Sequence, residues 1–551
     1  MTGALPEDPP PPQVRRLLEL AFRVTAARDA LVTARDAVAS SPTRSPALTA
    51  LAAAIDGEAR GLAEVLAGVY RLVELAEDLW ADLDGPDPVP PADRDGLRAS
   101  LDRAVENALA DLARLAGVRP AEGASGSTST GAGGSTSTGA VAGGLDTRAT
   151  VESWAGATAD EVYSSIEHMS TADRRLLALA EPEAVGGTYG VPWAVRARAN
   201  AVAVRAALHR EQMAGTPWSP RIGRLETMAR RDPRRRRRSF VGFSARRGGR
   251  MIEVVGELGP LTEAVAVYVP GTGTNLDMSH VNTDVAVDLV AAGGGRLVVI
   301  AFLDGEFPQD IMADAGRPRY AEAMAPRLVR FCREVDRAVE IECPGAALTV
   351  VGHSYGGRIV GTAERLGLRA DRVVYAESPD LGVGVSGPAD WRAPGPVRRF
   401  SFTAPGDPVE LLQVRFGLRR PWSTSDLSDG ATRLDTGYFA DGTPVYGTRG
   451  HGGVFDRGCG AFEAMLAVML GGSVPLWRDR EIRARHTRVG RGDDGRLLPV
   501  VWRHVRGLWL HRAHDPYADA EVLWEAPERR VPVPVSTRAG SRGLVPGAGS
   551  G

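Results

Sequence analysis

No lysine occurs anywhere in this chain, so its 66 basic residues are all arginine. That absence rules out the Gly-Lys-Ser/Thr ending of a phosphate-binding P-loop. With abundant alanine and glycine it also points to a GC-rich source genome, which says nothing of chemistry. Cysteine is scarce: Cys332, Cys343 and Cys459 form neither a CxxC pair nor a Cys/His cluster, which argues against a structural zinc site. Three free thiols in a reducing compartment are expected, a Cys332–Cys343 bridge being the alternative. No run of about 18 uncharged apolar residues is present, so no membrane span is expected. Met1–Gln13 is acidic and proline-rich and lacks the basic start and apolar stretch of a secretory signal. A cytoplasmic location follows as the expectation, with a signal-free export route such as type VII secretion left open. Excess charge of one sign is missing too. A formal net charge of -2 gives no bias toward nucleic acid or an anionic membrane surface.

The 551 residues are too many for one ordinary compact core, and the composition is that of a globular protein. Residues 1–120 read as a helical bundle. Leu17, Leu18, Leu20, Ala21 and Val24 fall at helical spacing, as do Leu62, Val65, Leu66, Val69, Leu72 and Val73. Residues 121–145 contain Gly-Ser-Thr-Ser-Thr-Gly-Ala twice, from Gly126 and from Gly134, and this composition cannot bury a core. It reads as a flexible linker. A helical lead-in over 146–238 follows, ending in the arginine run Arg234–Arg238, which reads as a solvated linker rather than a docking patch.

From Phe240 the apolar period changes. Short strands are expected at Ile252–Val255, Ala264–Val269, Leu297–Phe302, Ala347–Val351, Val373–Ala376 and Phe400–Thr403. Helical patterns fall between several of them, notably Ala321–Ala338 and Arg358–Leu366. That alternation predicts an α/β domain over 239–477 with a mostly parallel sheet flanked by helices. Residues 478–551 give weak signals and read as an irregular extension with a disordered end.

The chemistry gathers around Gly352-His353-Ser354-Tyr355-Gly356-Gly357. With glycine so common here, a Gly-x-Ser-x-Gly match arises by chance about half a time in such a chain. Context carries the case: a buried-type strand precedes it and a helix follows at once. A serine on that turn is forced outward, and flanking glycines admit close backbone. Such a serine needs a base and a group that orients the base. Asp407, just after the strand at Arg399–Thr403, is the best acid; Asp380, Asp435 and Asp441 compete. His451, in a glycine-rich loop before the helical Ala461–Leu470, is the best base. His486, His504, His511 and His514 are later alternatives, and His353 reads as packing. Pro270-Gly271-Thr272-Gly273-Thr274 follows a strand where an oxyanion donor is needed. Thr272 N–H is expected there, with Gly271 or Gly273 as neighbours in contention, and Tyr355 N–H as the second donor. Leu411, Phe416 and Trp422 make either a cap over the substrate or packing on the sheet edge.

Three separated motifs occur in order: Pro182-Glu-Ala-Val-Gly-Gly-Thr-Tyr-Gly-Val-Pro192 followed by Arg196–Asn200, the Val-Pro-Gly-Thr-Gly-Thr loop, and the Gly-His-Ser-Tyr-Gly elbow. Over roughly residues 150–475 the chain thereby resembles an actinobacterial α/β-hydrolase family whose substrates are largely uncharacterised. The resemblance implies an α/β-hydrolase fold and an esterase-like or lipase-like serine hydrolase with Ser354, Asp407 and His451 as its triad. It implies a small or lipid-like ester substrate, with no cofactor, no metal and no nucleic-acid partner. One departure is Glu377-Ser378-Pro379-Asp380, two carboxylates where such chains usually carry a small, glycine-rich turn. Trp154-Ala155-Gly156 and the Tyr-x-x-x-Glu matches at Tyr70, Tyr163 and Tyr517 resemble features of exported helical-hairpin proteins, with ordinary helix surface as the plainer account. The competing functional reading is a secretion-associated or interaction protein, with a partner-binding helical region and a non-catalytic hydrolase scaffold.

Overall fold

The computed structural model describes residues 38, 49–55, 147–213, 219–230, 239–311, 314–407, 409, 413, 430–484, 487–489 and 521–535. Most of the expected bundle, the linker and Arg234–Arg238 lie outside them, as do Leu411, Phe416, Trp422, the four later histidines, Tyr70, Tyr517 and the chain's end. Two compact units divide the chain, Met1–Arg230 and Arg231–Gly551. No helix among the described residues is long and apolar enough to cross a membrane.

The first unit is helical. Helices α1 (Thr147–Ser153), α2 (Ala159–Glu167), α3 (Thr171–Ala180), α4 (Pro182–Gly187), α5 (Trp193–Met213) and α6 (Pro220–Ala229) follow in order. Their starts are written in the sequence. Thr158 and Glu161 form a reciprocal capping box on α2, and Ser170 caps α3. Trp154, Val162, Ile166, Leu177, Val185 and Ala199 share one buried cluster. Trp154 is thus a core residue, its indole N–H donating to Ser165 Oγ at 3.0 Å. The Val-Gly-Gly-Thr-Tyr segment and the Arg196–Asn200 stretch belong together physically. Asn200 Nδ2 and Arg196 Nε both donate to the carbonyl of Gly186, at 3.1 and 3.4 Å in a buried setting. Those bonds satisfy a carbonyl that the short helix α4 leaves open.

In the second unit, strands β1 (Ser239–Ser244), β2 (Arg250–Val255), β3 (Ala264–Val269), β4 (Leu297–Leu303), β5 (Ala347–His353), β6 (Arg372–Ala376), β7 (Arg398–Phe402) and β8 (Thr432–Arg433) form one sheet. Its order is β1-β2-β4-β3-β5-β6-β7-β8. The pairs β1–β2 and β2–β4 are antiparallel and all the others parallel. The six strands expected from apolar runs are β2 to β7. Every residue of β3, β4 and β6 is buried, as strands covered on both faces must be.

Between strands lie α7 (Ser279–Ala292), α8 (Arg319–Glu342) and α9 (Tyr355–Arg365), and after β8 come α10 (Gly447–Gly453) and α11 (Gly460–Leu470). Ala286 and Leu289 of α7 join Phe462, Met465 and Met469 of α11 in a core with Ala264, Ala266 and Tyr268. Cys332, Cys343 and Cys459 are free, buried thiols, so the bridge considered above does not form. From β3 the chain passes to β4 on one side, while β5 pairs with β3 on the other. The carboxyl ends of β3 and β5 therefore flank the switch point, where open α/β sheets leave a crevice.

The region past Trp477 is not wholly irregular. Strands β9 (Gly472–Pro475) and β13 (Arg530–Val533) pair with each other, and β10 (Arg480–Ala484), β11 (Thr487–Val489) and β12 (Glu521–Glu525) make a small sheet. Hydrophobic periodicity misses it because charge holds it in place. Buried Arg480 donates to Asp435 Oδ1 at 2.6 Å and to Glu525 Oε2 at 3.0 Å. Arg372, also buried, donates to the carbonyls of Val468, Met469 and Pro534, tying the start of β6 to the end of α11 and to the tail.

Candidate active site

Ser354 stands between β5 and α9 with φ 52° and ψ −125°. A non-glycine residue in that region costs about 1–3 kcal/mol, and here the surroundings enforce it. Ser354 N–H donates to Ala376 O of β6 at 2.9 Å, and Ser354 O accepts from Gly357 N–H at 2.9 Å. The turn closes only because its second glycine has no side chain: a β-carbon on Gly356 would lie 2.0 Å from Val269 O and 2.5 Å from Pro270 O. Gly356→Ala is therefore expected to destabilise this unit by about 3 kcal/mol, read as a lower midpoint in denaturant unfolding. An unchanged midpoint would mean that the turn is looser than this contact requires.

The loop after β3 crosses directly over the serine. A β-carbon on Gly271 would approach Ser354 Cβ to 2.7 Å and Oγ to 3.2 Å. Gly273 N–H is already spent on Pro308 O at 2.7 Å, which removes it as an oxyanion donor. Thr272 and Tyr355 N–H have no acceptor among the described residues, and Tyr355 N–H opens the first turn of α9. Gln309 Nε2 fixes the loop by donating to Thr274 O at 2.8 Å. Tyr355 OH donates to Arg317 O and Arg358 Nη1 to Ala315 O at 3.3 Å, so the segment after β4 is pinned to the start of α9.

His451 lies in α10, a short helix where the sequence suggested a glycine-rich loop. Glycine is used here for close approach: a β-carbon on Gly450 would come within 2.5 Å of Ala404 Cβ. Gly447 N–H donates to Pro405 O at 2.8 Å, so α10 sits on the loop that carries Asp407. Across this contact His451 Nδ1 donates to Asp407 Oδ2 at 2.6 Å. The Nδ1–H tautomer leaves the lone pair on Nε2. The other oxygen of Asp407 accepts from Val409 N–H at 2.9 Å.

None of the competing acids has a bond to His451. Asp380 pairs with Arg358 at 3.4 Å, Asp435 with Arg478 and Arg480, and Asp441 with Arg449. Among the described residues no hydrogen bond links Ser354 Oγ to His451, and such bonds often tighten only when substrate binds.

Two residues outside the expected site belong to it. His353, read as packing, donates from Nε2 to the carbonyl of His451 at 2.8 Å, with ring centroids 5.2 Å apart. Burial, then the neighbouring His451, pushes its imidazole down to about 3, so it is a neutral fixed donor. Glu377, fully buried at φ 50°, follows β6 and brings its carboxyl group within 4.8 Å of the facing atoms of Asp407 and His451. No local pattern announces either contact, since each joins residues far apart in sequence.

Glu377, Asp407 and His451 also form the one cluster of potential metal ligands among the described residues, their ligand atoms within 4.8 Å. Two ligands each about 2.1 Å from one ion at a right angle would stand ~3 Å apart. The 2.6 Å between Nδ1 and Oδ2 is shorter, which is a hydrogen bond and not a coordination shell.

A strained serine at the carboxyl end of a parallel strand, with an orphan-amide loop across it, matches one known sheet plan. The fold is an α/β-hydrolase fold. Residues 245–416 match the family described as Alpha/beta hydrolase. No curated protein matches the chain.

Solved structures similar to this chain include an esterase of Pyrobaculum calidifontis, at 15% identity over 42% of this chain and 81% of that one, TM-score 0.24. An arylesterase matches at 13% identity over 46% and 94%, TM-score 0.26. Carboxyl esterase 2 of the fungus Tuber melanosporum matches at 10% identity over 40% and 80%, also with TM-score 0.26. Likeness this distant carries nothing about substrate.

Proposed function

We propose that this chain is a serine hydrolase acting on a carboxylic ester through an acyl-enzyme. The observation that carries the reading is the 2.6 Å bond from His451 Nδ1 to Asp407, made beside a strained serine. In the proposed reaction His451 Nε2 takes the proton of Ser354 Oγ as it attacks the ester carbonyl. Asp407 holds the imidazole and stabilises its charged form, while Thr272 and Tyr355 N–H receive the oxyanion. The proton passes to the leaving alcohol, and water, activated in the same way, releases the acid. No cofactor enters. The substrate proposed is a small or lipid-like ester.

The direct test is hydrolysis of p-nitrophenyl acyl esters of increasing chain length by the purified full chain. Saturable turnover far above the Ser354→Ala background is the expected result. A folded wild type no faster than Ser354→Ala overturns the enzyme reading and leaves the helical partner-binding one.

The base also sets the pH dependence. Burial alone lowers an imidazole, but the charge of Asp407 and its hydrogen bond outweigh this and hold His451 above its ordinary value. His451 therefore stays protonated, and unable to act as base, to higher pH than a free imidazole at ~6.5. The expected kcat/KM profile falls as pH drops, with its acid midpoint above that value. A midpoint at or below it would contradict the assignment of His451 as base.

A further inference from the structure

Strands β6 and β7 are parallel neighbours with Ala376 opposite Phe402. The residues that follow them, Glu377 and the Ala404–Asp407 turn, must therefore share the same end of the sheet. There two carboxyl groups meet inside the protein, Glu377 fully buried and Asp407 1% exposed. Each is held from its own side. Glu377 N–H donates to Phe402 O at 2.9 Å and its Oε1 accepts from Ala404 N–H at 2.8 Å. Asp407 accepts from Val409 N–H and from His451. The oxygen atoms that the two side chains turn toward each other and toward His451 lie within 4.8 Å of one another.

A hydrogen bond between two carboxyl groups requires a proton on one of them. Both Asp407 oxygens already accept from N–H donors, so the proton belongs on Glu377, whose Oε1 is the acceptor for Ala404. Full ionisation would instead place two negative charges against a single imidazole in a buried site. Among the described residues, His451 bonds to Asp407, and His353, which senses both His451 and Asp407, is neutral.

We propose that Glu377 is a positioning residue which keeps its proton and donates it in a hydrogen bond to Asp407, so that the pair carries one negative charge aimed at His451. This deepens the serine-hydrolase reading and rests on it for its kinetic consequence. Burial works against an ionised Asp407; the charge and bond of His451, the bond from Glu377 and that from Val409 N–H outweigh it and hold this carboxyl below its ordinary range. The Glu377 donor thus keeps Asp407 from taking the His451 proton, and fixes its carboxylate plane toward the imidazole. The backbone at Glu377 is left-handed, φ 50°, where the chain leaves β6, and its side chain reaches the N–H of Ala404 in the loop after β7.

The experiment uses the full chain as wild type, Glu377→Gln and Glu377→Ala. In the resting protein, infrared spectroscopy is expected to show the C=O stretch of a buried protonated carboxyl, lost in Glu377→Gln. Proton NMR is expected to show the low-field Nδ1–H signal of His451 in wild type and Glu377→Gln, and to find it lost in Glu377→Ala. Because Gln keeps the donor, Glu377→Gln is expected to hydrolyse ester within about threefold of wild type. Glu377→Ala is expected to lose kcat by about 10–100-fold at similar KM, the usual cost of removing a supporting hydrogen-bond partner. A wild type without the infrared band, or one whose band survives in Glu377→Gln, overturns the proposal. So does a Gln variant as impaired as the Ala variant. The spectra need no turnover, so they decide the protonation even if the protein hydrolyses no ester or Glu377→Ala fails to fold.

Discussion

Replacing Ser354 by alanine is expected to lower ester-hydrolysis kcat by at least about 10⁴-fold while the chain stays folded. The size follows from the role proposed for the serine. In that role its oxygen forms the acyl bond, and alanine leaves only binding and the oxyanion amides to act on water. Stability should fall little or even rise, because Ser354 Oγ makes no hydrogen bond among the described residues and the strained backbone at φ 52° is set by the glycines around it. Initial rates at saturating ester, with circular dichroism as the control, check both halves. A loss below tenfold would remove Ser354 from the chemistry.

The second large effect belongs to Asp407→Asn, expected to cost about 10⁴-fold in kcat/KM near neutral pH. The amide is nearly the same size, so the cost is electronic and tautomeric. An Asn that turns its NH₂ to the imidazole forces the lone pair onto Nδ1 and leaves a proton on Nε2, the wrong nitrogen for accepting the serine's proton. The acid limb of the pH profile should move down as well, since the charge that raises His451 is gone. Full activity in Asp407→Asn would mean that another carboxylate orients His451, and among the described residues Glu377 is the one within reach. Steady-state kinetics across pH separate these outcomes.

The central sheet was legible because its strands are short apolar runs buried on both faces, as with Ala264–Val269 and Ala347–Val351. The serine turn was legible because glycine is demanded there by backbone contact. Asp407 and His451 were selected by local signals, a loop after a strand and a glycine-rich segment. Their hydrogen bond spans 44 positions and depends on α10 seating against Ala404. Strand β1 escaped because Ser-Phe-Val-Gly-Phe-Ser lacks a continuous apolar run, and β8 is two residues long. The strands past Trp477 escaped for a different reason: Arg480 is buried by pairing with Asp435 and Glu525, so a hydropathy pattern marks it as surface. Glu377 was visible as a departure from the usual small turn. Its meaning depends on the adjacency of β6 and β7, which no local pattern contains.

The most direct test of the central claim is to treat the folded full chain with a fluorophosphonate and measure its intact mass, then locate the adduct by peptide mapping. One adduct on Ser354, absent from Ser354→Ala and greatly slowed in Asp407→Asn, is the predicted result. A folded chain that stays unmodified, or that carries the adduct on another residue, would contradict the assignment of Ser354 as an activated nucleophile.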